Sequence, residues 1–376
     1  MILGLFNPEN DLALANGLAT YVAPRSIRKM NEDLFELPRL WILGDALRCF
    51  KTHRTYTEGE IARCEVWGWS LHARRKLLEA GISSLLLPSE EMIDQMRLWS
   101  HRAHTIEVLT YLQENGYPYT VPVMPLRATT VDEVDAFVER YPQAVMKQPW
   151  SSSGKGLLWA HKITPALRQA WVSQTIRKMG DVMCEPRYEK VFDLAMGFHV
   201  DTSGKVEAKG YSMFLTDDRG VYLGNALLSD QAILDYAGRH VDVQQLHVLQ
   251  QYLHQFFTER IAHFHRGYLG VDLMICQEGG TGTYFLHPCV EVNLRMTMGL
   301  LARFYYDHSF ASVAEVGIFR ILREADPSLL KAAIVSLQSQ NPSLRILSTV
   351  AKDSLYTAVA YPVSNLDDLL YKHGID

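Results

Sequence analysis

The sequence contains no apolar run of the roughly 20 residues that a helix needs to cross a bilayer. It has no excess of positive charge either: 37 Lys and Arg stand against 42 Asp and Glu, a formal net charge of −5. That excludes a nucleic-acid binder working through a basic stripe and counterion release. Cysteine is sparse, and the five present (Cys49, Cys64, Cys184, Cys276, Cys289) are odd in number and form no CxxC pair. A disulfide framework or a zinc site is therefore not expected, and a reducing cytoplasm suits the thiols. The opening residues, MILGLFNPEND, lack the basic start of a secretory signal. Repeats of solenoid length and low-complexity tracts are missing as well. What is present is 48% hydrophobic and 21% charged side chains over 376 residues, enough for two or three structural domains with substantial cores.

The most informative stretch is Gly267 to Gly299. An apolar run, Leu269 to Cys276, carries one acid, Asp272; a Gly-rich turn follows; a second run, Tyr284 to Asn293, carries Glu291 and Asn293. This pattern predicts an antiparallel hairpin. Centring its turn on Thr281 and Gly282 sets Asp272 opposite Glu291, with Glu291 and Asn293 on one face. Two facing carboxylates among apolar neighbours are costly unless a positive charge joins them. A hard cation with oxygen ligands answers that need, Mg²⁺ above all. The alternative is a solvated sheet face.

Upstream, strand and helix alternate. Met1 to Phe6 and Leu40 to Leu43 read as strands, Pro24 to Leu37 and Glu60 to Ala80 as helices, and Ser84 to Leu87 as a third strand. Alternation predicts a small parallel α/β domain, with ligands at the loops that follow its strands. The polar loop Asn7, Glu9, Asn10, Asp11 is thus a candidate substrate loop, with an ordinary Asx-capped turn as the alternative.

Ser89 to Glu114 reads as largely helical, and Thr130 to Arg140 as a helix with the capping box Thr130 and Glu133. Ala144 to Lys147 is a strand followed by the small-residue loop Ser151 to Gly156, which could fold over phosphates or be a surface linker. Later elements are strands at Leu194 to Asp201 and Lys205 to Phe214, and a long helix from Asp242 to Phe264. Helices at Phe310 to Glu324 and Ser328 to Ser339 and a strand near Tyr356 to Tyr361 close the chain. His240, His247 and His254 recur every seven residues. About 10 Å along a helix axis separates such positions, too far to share one metal.

In series, these motifs resemble the ATP-grasp superfamily, from about Ser100 to Phe304. SHRAHTIEVLTYLQENGYPYTVP is similar to the family's first helix and the turn after it, with His101 and Arg102 where Asp-Lys is usual. VMKQPWSSSGKGL is similar to its strand lysine and glycine-rich lid, MCEPRYEKVFDLAMGF to its adenine hinge and ribose segment, and GVDLMI with VEVNLR to its metal strands. The resemblance implies an N-terminal parallel α/β domain followed by two α+β subdomains clasping ATP. The expected divisions are residues 1–99, 100–200 (first helix and lid) and 201–376 (metal-binding subdomain with a helical extension).

It also implies roles. Arg102, Lys147, Ser152, Ser153, Gly154, Lys155, Gly156, Glu185, Tyr188 and Asp193 would bind ATP. Asp272, Glu291 and Asn293 would hold Mg²⁺ or Mn²⁺. Arg295 and Lys155 would serve the reacting phosphoryl group. The activity implied is a ligase joining a small-molecule or peptide carboxylate to an amine through an acyl-phosphate. A phosphotransferase, a carboxylase-type enzyme and a non-catalytic nucleotide-binding regulator are the alternatives. Neither nucleic acid nor membrane is an expected partner, and a homodimer is one state the sequence allows.

Overall fold

The computed structural model describes residues 1–373 except 53, 58, 152–155, 218, 219, 280 and 281. The N-terminal layer is a parallel three-stranded sheet. β1 (Ile2–Leu5) lies between β2 (Leu47–Cys49) and β3 (Arg63–Val66). The same N-terminal segment carries α1 (Asn10–Asn16), α2 (Arg25–Asp33) and α3 (Leu71–Glu79), with α1 packed on α3.

Parallel strands and alternating helices are as the sequence suggests, but three assignments are corrected. Leu40 to Leu43 is not a strand. Pro38 starts a 3₁₀ turn at Leu37–Leu40, and Trp41 and Ile42 are buried by packing, not by pairing. Glu60 to Ala80 is not one helix. Residues 63–66 pair with β1, and helix begins only after Ser70, whose hydroxyl accepts from the Ala73 amide. Ser84 to Leu86 is a single 3₁₀ turn.

The expected loop Asn7–Asp11 is corrected as well: Asn10 and Asp11 open α1, and part of the stretch is structural. The Asn7 amide donates to the Gly68 carbonyl at 2.8 Å and accepts from its N–H at 3.2 Å. Asn10 lies so close that a Cβ on Gly68 would meet its side chain at 2.4 Å. Asn7→Ala removes both bonds and leaves the buried Gly68 N–H without a partner, while the Asn10 amide still serves the Gly68 carbonyl, and is expected to destabilise the fold by about 2 kcal/mol. Urea unfolding checks this, with ATP affinity of the folded variant unchanged.

Helices α4 (Glu90–Trp99) and α5 (His104–Glu114) follow, as the largely helical stretch Ser89 to Glu114 suggests, with a break at residues 100–103. The second sheet is antiparallel: β4 (Leu126–Ala128), β5 (Val145–Lys147), β6 (Leu157–Trp159) and β7 (Val182–Glu185), in the order β4-β7-β5-β6. It is covered by α6 (Val131–Arg140), with the Thr130–Glu133 capping box formed, and α7 (Pro165–Met179). These elements have their own core around Val134, Met146 and Val172.

The third sheet has eight strands. They are β8 (Glu189–Val200), β9 (Val206–Thr216), β10 (Tyr222–Leu227), β11 (Gly267–Glu278), β12 (Thr283–Asn293), β13 (Gly317–Arg323), β14 (Arg345–Ile346) and β15 (Tyr356–Pro362). Their order is β12-β11-β8-β9-β10-β13-β15-β14. Phe310 to Glu324 is therefore corrected from helix to strand. Ile318 and Phe319 are fully buried between β10 and β15, and the branched and aromatic run suits a doubly covered strand.

After β10 come α8 (Asp230–Ala237) and α9 (Gln244–Arg260); α10 (Met298–Tyr305) follows β12 and α11 (Pro327–Gln340) follows β13. α9 buries Leu246, Leu249, Leu253, Phe256 and Phe257 in the largest apolar cluster. α10 joins a second cluster with Phe6, Trp41 and Trp67, which ties the N-terminal layer to the large sheet. Among the described residues no helix is long and apolar enough to cross a membrane.

Candidate active site

The hairpin carries the register that the two acids require. Gly270, Val271 and Asp272 pair with Asn293, Val292 and Glu291. Toward the turn the register shifts, with Met274 opposite His287, because residues 288–290 bulge out of the ladder. Pro288 cannot donate a ladder hydrogen bond, so a bulge there is its natural place.

Asp272 Oδ2 accepts from Asn293 Nδ2 at 3.2 Å. Burial, and next the charge of Glu291, push the Asp272 carboxyl up from 3.8 to about 7. Among the described residues no cluster of three or more His, Cys, Asp or Glu side chains forms a metal shell. Two facing acids and one amide do fit Mg²⁺, which typically takes one or two carboxylates and completes its shell with water and phosphate oxygens. A raised carboxyl favours the protonated native state. Its stabilising contribution is full below pH about 4 and is lost as pH rises through about 7. A divalent cation bound at this carboxylate would displace that proton. Mg²⁺ affinity should therefore climb about tenfold per pH unit from about pH 5 to 7 and then level off, with one proton released on binding. Calorimetry in buffers of different ionisation heat measures both.

Arg102 stands in the break between α4 and α5. It donates to the Gln148 carbonyl at 2.7 Å, to Ser151 Oγ at 2.5 Å and to the Ser151 carbonyl at 3.2 Å, and it reaches Glu291 Oε2 at 3.0 Å. One guanidinium thus joins the root of the small-residue loop to a hairpin acid. Ser152, Ser153, Gly154 and Lys155 lie outside the described residues. Gly156 closes that loop at φ 77°, where its carbonyl accepts from the Gln148 amide at 2.9 Å.

Lys147 and Glu185 come from β5 and β7. The register sets Val145 opposite Glu185, so Lys147 and Glu185 are diagonal neighbours on one face. Ammonium and carboxylate meet at 2.6 Å, with 10% and 8% of the two side chains exposed. Tyr188 donates to the Val123 carbonyl at 3.1 Å, and its ring stands edge-on to His287. Burial pushes His287 down to about 4, so its ring is neutral. Asp193 accepts from Lys190 at 2.6 Å and from Thr216 at 2.9 Å. Positions 190 and 193 would point to opposite faces of a regular strand. A bulge in β8 between Lys190 and Phe192, which face the consecutive β11 residues Cys276 and Ile275, brings both to one side.

Arg295, just past β12, grips Asp11 with two bonds of 2.8 Å each. Of the polar loop, only Asp11 and Pro8 face the same space as the hairpin acids. Asn7 and Asn10 are spent on the Gly68 turn, and buried Glu9 lies 3.8 Å from His72 and 3.6 Å from Lys76. That space is a cavity of about 1120 Å³. Arg102, Lys147, Glu185, Tyr188 and Asp193 line it together with Asp272, Glu291, Asn293 and Arg295.

The sequence matches no family model and no curated protein. The fold does have solved counterparts. N5-carboxyaminoimidazole synthetase from Staphylococcus aureus, solved with ADP, superposes with a TM-score of 0.53 at 10% identity, over 99% of this chain and 95% of that one. The fold is an ATP-grasp fold. N5-carboxyaminoimidazole ribonucleotide synthetase from Thermus thermophilus gives a TM-score of 0.49 at 12% identity, over 100% and 99% of the two chains.

Within this ATP-grasp fold, the four-stranded sheet and the hairpin both contribute walls to the cavity. Lys190, Thr216, Gln148 and His287 also belong to the neighbourhood of the site, and nothing in the sequence singles them out. Lys190 joins it through a bulge, His287 because the residues after it bulge, and Gln148 through its backbone.

Proposed function

We propose that this protein is an ATP- and Mg²⁺-dependent ligase that joins a carboxylate to an amine through an acyl-phosphate, releasing ADP and phosphate. The observation that carries the reading is the convergence in one cavity of a buried Lys147–Glu185 pair, two facing acids and two arginines. These are the groups that phosphoryl transfer needs: fixed positive charge for the phosphates, and acids for a divalent cation. A nucleophilic side chain is not required, because the substrate carboxylate is the nucleophile.

In this reading Lys147 and Arg102 contact the phosphates, and Glu185 and Tyr188 border the adenine. Asp193, oriented by Lys190 and Thr216, takes the ribose hydroxyls. Asp272, Glu291 and Asn293 would hold Mg²⁺, which supplies charge neutralisation for the transferring phosphoryl group when bound. Arg295 presents a planar pair of donors suited to a phosphate or an acyl-phosphate. In the structure those donors hold Asp11, so substrate binding exchanges one anion for another.

The test is phosphate release from ATP and Mg²⁺ with pooled carboxylates and amines. Release that needs both pools supports the ligase. A stable phosphorylated product formed from one pool makes it a phosphotransferase. Failure to bind ATP by calorimetry removes the reading.

A further inference from the structure

The cavity continues past Arg295 to a second end with different chemistry. Its walls there come from α1, α2, the start of α10, β13 and β15. Met30, Met298 and Ile321 line it while half-buried, and they pack against the apolar cluster that holds Trp67 and Tyr356. Leu12 and Ile27, also half-buried, add to the same lining. Charge at this end is limited. Asp11 and Arg295 are already joined to each other, and exposed Arg323 lies over the Tyr356 ring at 5.9 Å. The basic groups Arg102, Lys147, Arg187 and Lys190 belong to the break between α4 and α5, to β5, and to the stretch from β7 into β8.

Half-buried apolar side chains facing an open volume are what a pocket presents to an apolar ligand. A phosphate would instead call for clustered donors, bidentate where possible. We propose that the amine used by this enzyme has an apolar body, aliphatic or aromatic, and carries no phosphate. The inference rests on the ligase reading above and narrows its substrate.

Asp11 places a carboxylate beside Arg295, the residue assigned to the acyl-phosphate, so the amino group of such a substrate has an acceptor at the reacting end. The ammonium gives one proton to Asp11, and the nitrogen lone pair then forms the C–N bond. The C–O bond to phosphate breaks with its electron pair on the phosphate, which also takes the second proton.

The experiment compares four amines with ATP, Mg²⁺ and one carboxylate pool: leucinamide, phenethylamine, glycinamide and O-phosphoethanolamine. The apolar pair should exceed glycinamide in kcat/KM by about tenfold or more, as methylene contacts in a pocket allow. Met30→Glu or Ile321→Glu should erase that preference, and Met30→Ala should weaken it, while ATP affinity by calorimetry stays unchanged. Preference for glycinamide or O-phosphoethanolamine overturns the inference. So does an unaltered preference in the variants, or ATP binding with none of the four amines used. Loss of ATP binding by the unaltered protein overturns the ligase reading instead.

Discussion

Glu291→Gln should reduce ATP-dependent phosphate release by about 10²- to 10³-fold, the range seen when one charge-stabilising group is removed from a transition state. The substitution keeps the side chain's shape and removes its charge. Glu291 faces Asp272 across the hairpin and touches Arg102 at 3.0 Å. With one acid left, a divalent cation held as proposed between Asp272 and Glu291 would lose half of its protein charge. Arg102 keeps its bonds to Gln148 and Ser151, so residues 148–151 stay in place. Folding should be nearly unaffected, since the Glu291 side chain is 24% exposed. Phosphate release and thermal unfolding of the same preparation separate the two effects. Wild-type turnover in this variant would remove Glu291 from the chemistry.

Lys147→Met should cost stability and nucleotide affinity together. It strands Glu185, whose side chain is 8% exposed, without the ammonium 2.6 Å away. Breaking a buried pair from one side typically costs about 3–5 kcal/mol. The double variant Lys147→Met with Glu185→Gln should recover most of that stability, because neither charge is then buried alone. Its ATP affinity should not recover, because the cation proposed to meet the phosphates is gone. Urea unfolding with ATP calorimetry on both variants gives the comparison. A single variant less than about 1 kcal/mol below wild type would contradict it.

The hairpin was legible because strand pairing is an arithmetic constraint. The pairing of the two acids is as expected, Asp272 opposite Glu291, but the turn is not centred on Thr281 and Gly282: the ladder beside it pairs Glu278 with Thr283, one residue off, and the bulge at 288–290 makes up the difference. The capping box at Thr130 was legible for the same reason, a local rule with few exceptions. Less legible were elements decided by packing. Residues 63–66 look helical in isolation, but β1 offers an open edge and they pair with it. Residues 317–323 have an apolar pattern that either a buried helix or a buried strand satisfies, and the strands beside them decide.

The site divides along the same line. Residues within one strand or one motif could be placed in advance. The partners that hold them could not, because they come from elsewhere in the chain. Asp11 and Arg295 are 284 positions apart and Arg102 and Glu291 are 189 apart. The loop Asn7–Asp11 shows how coarse a polar cluster is as a signal. Two of its amides serve the Gly68 turn, Glu9 sits in a separate polar group, and Asp11 faces the cavity.

The acyl-phosphate is the centre of the proposed chemistry, and isotope transfer reads it directly. A substrate carboxylate labelled with ¹⁸O should pass one labelled oxygen to the phosphate released with each amide formed, because the attacking oxygen leaves with phosphorus. Unlabelled phosphate, with all of the label retained in the carboxylate or in its product, would contradict the account.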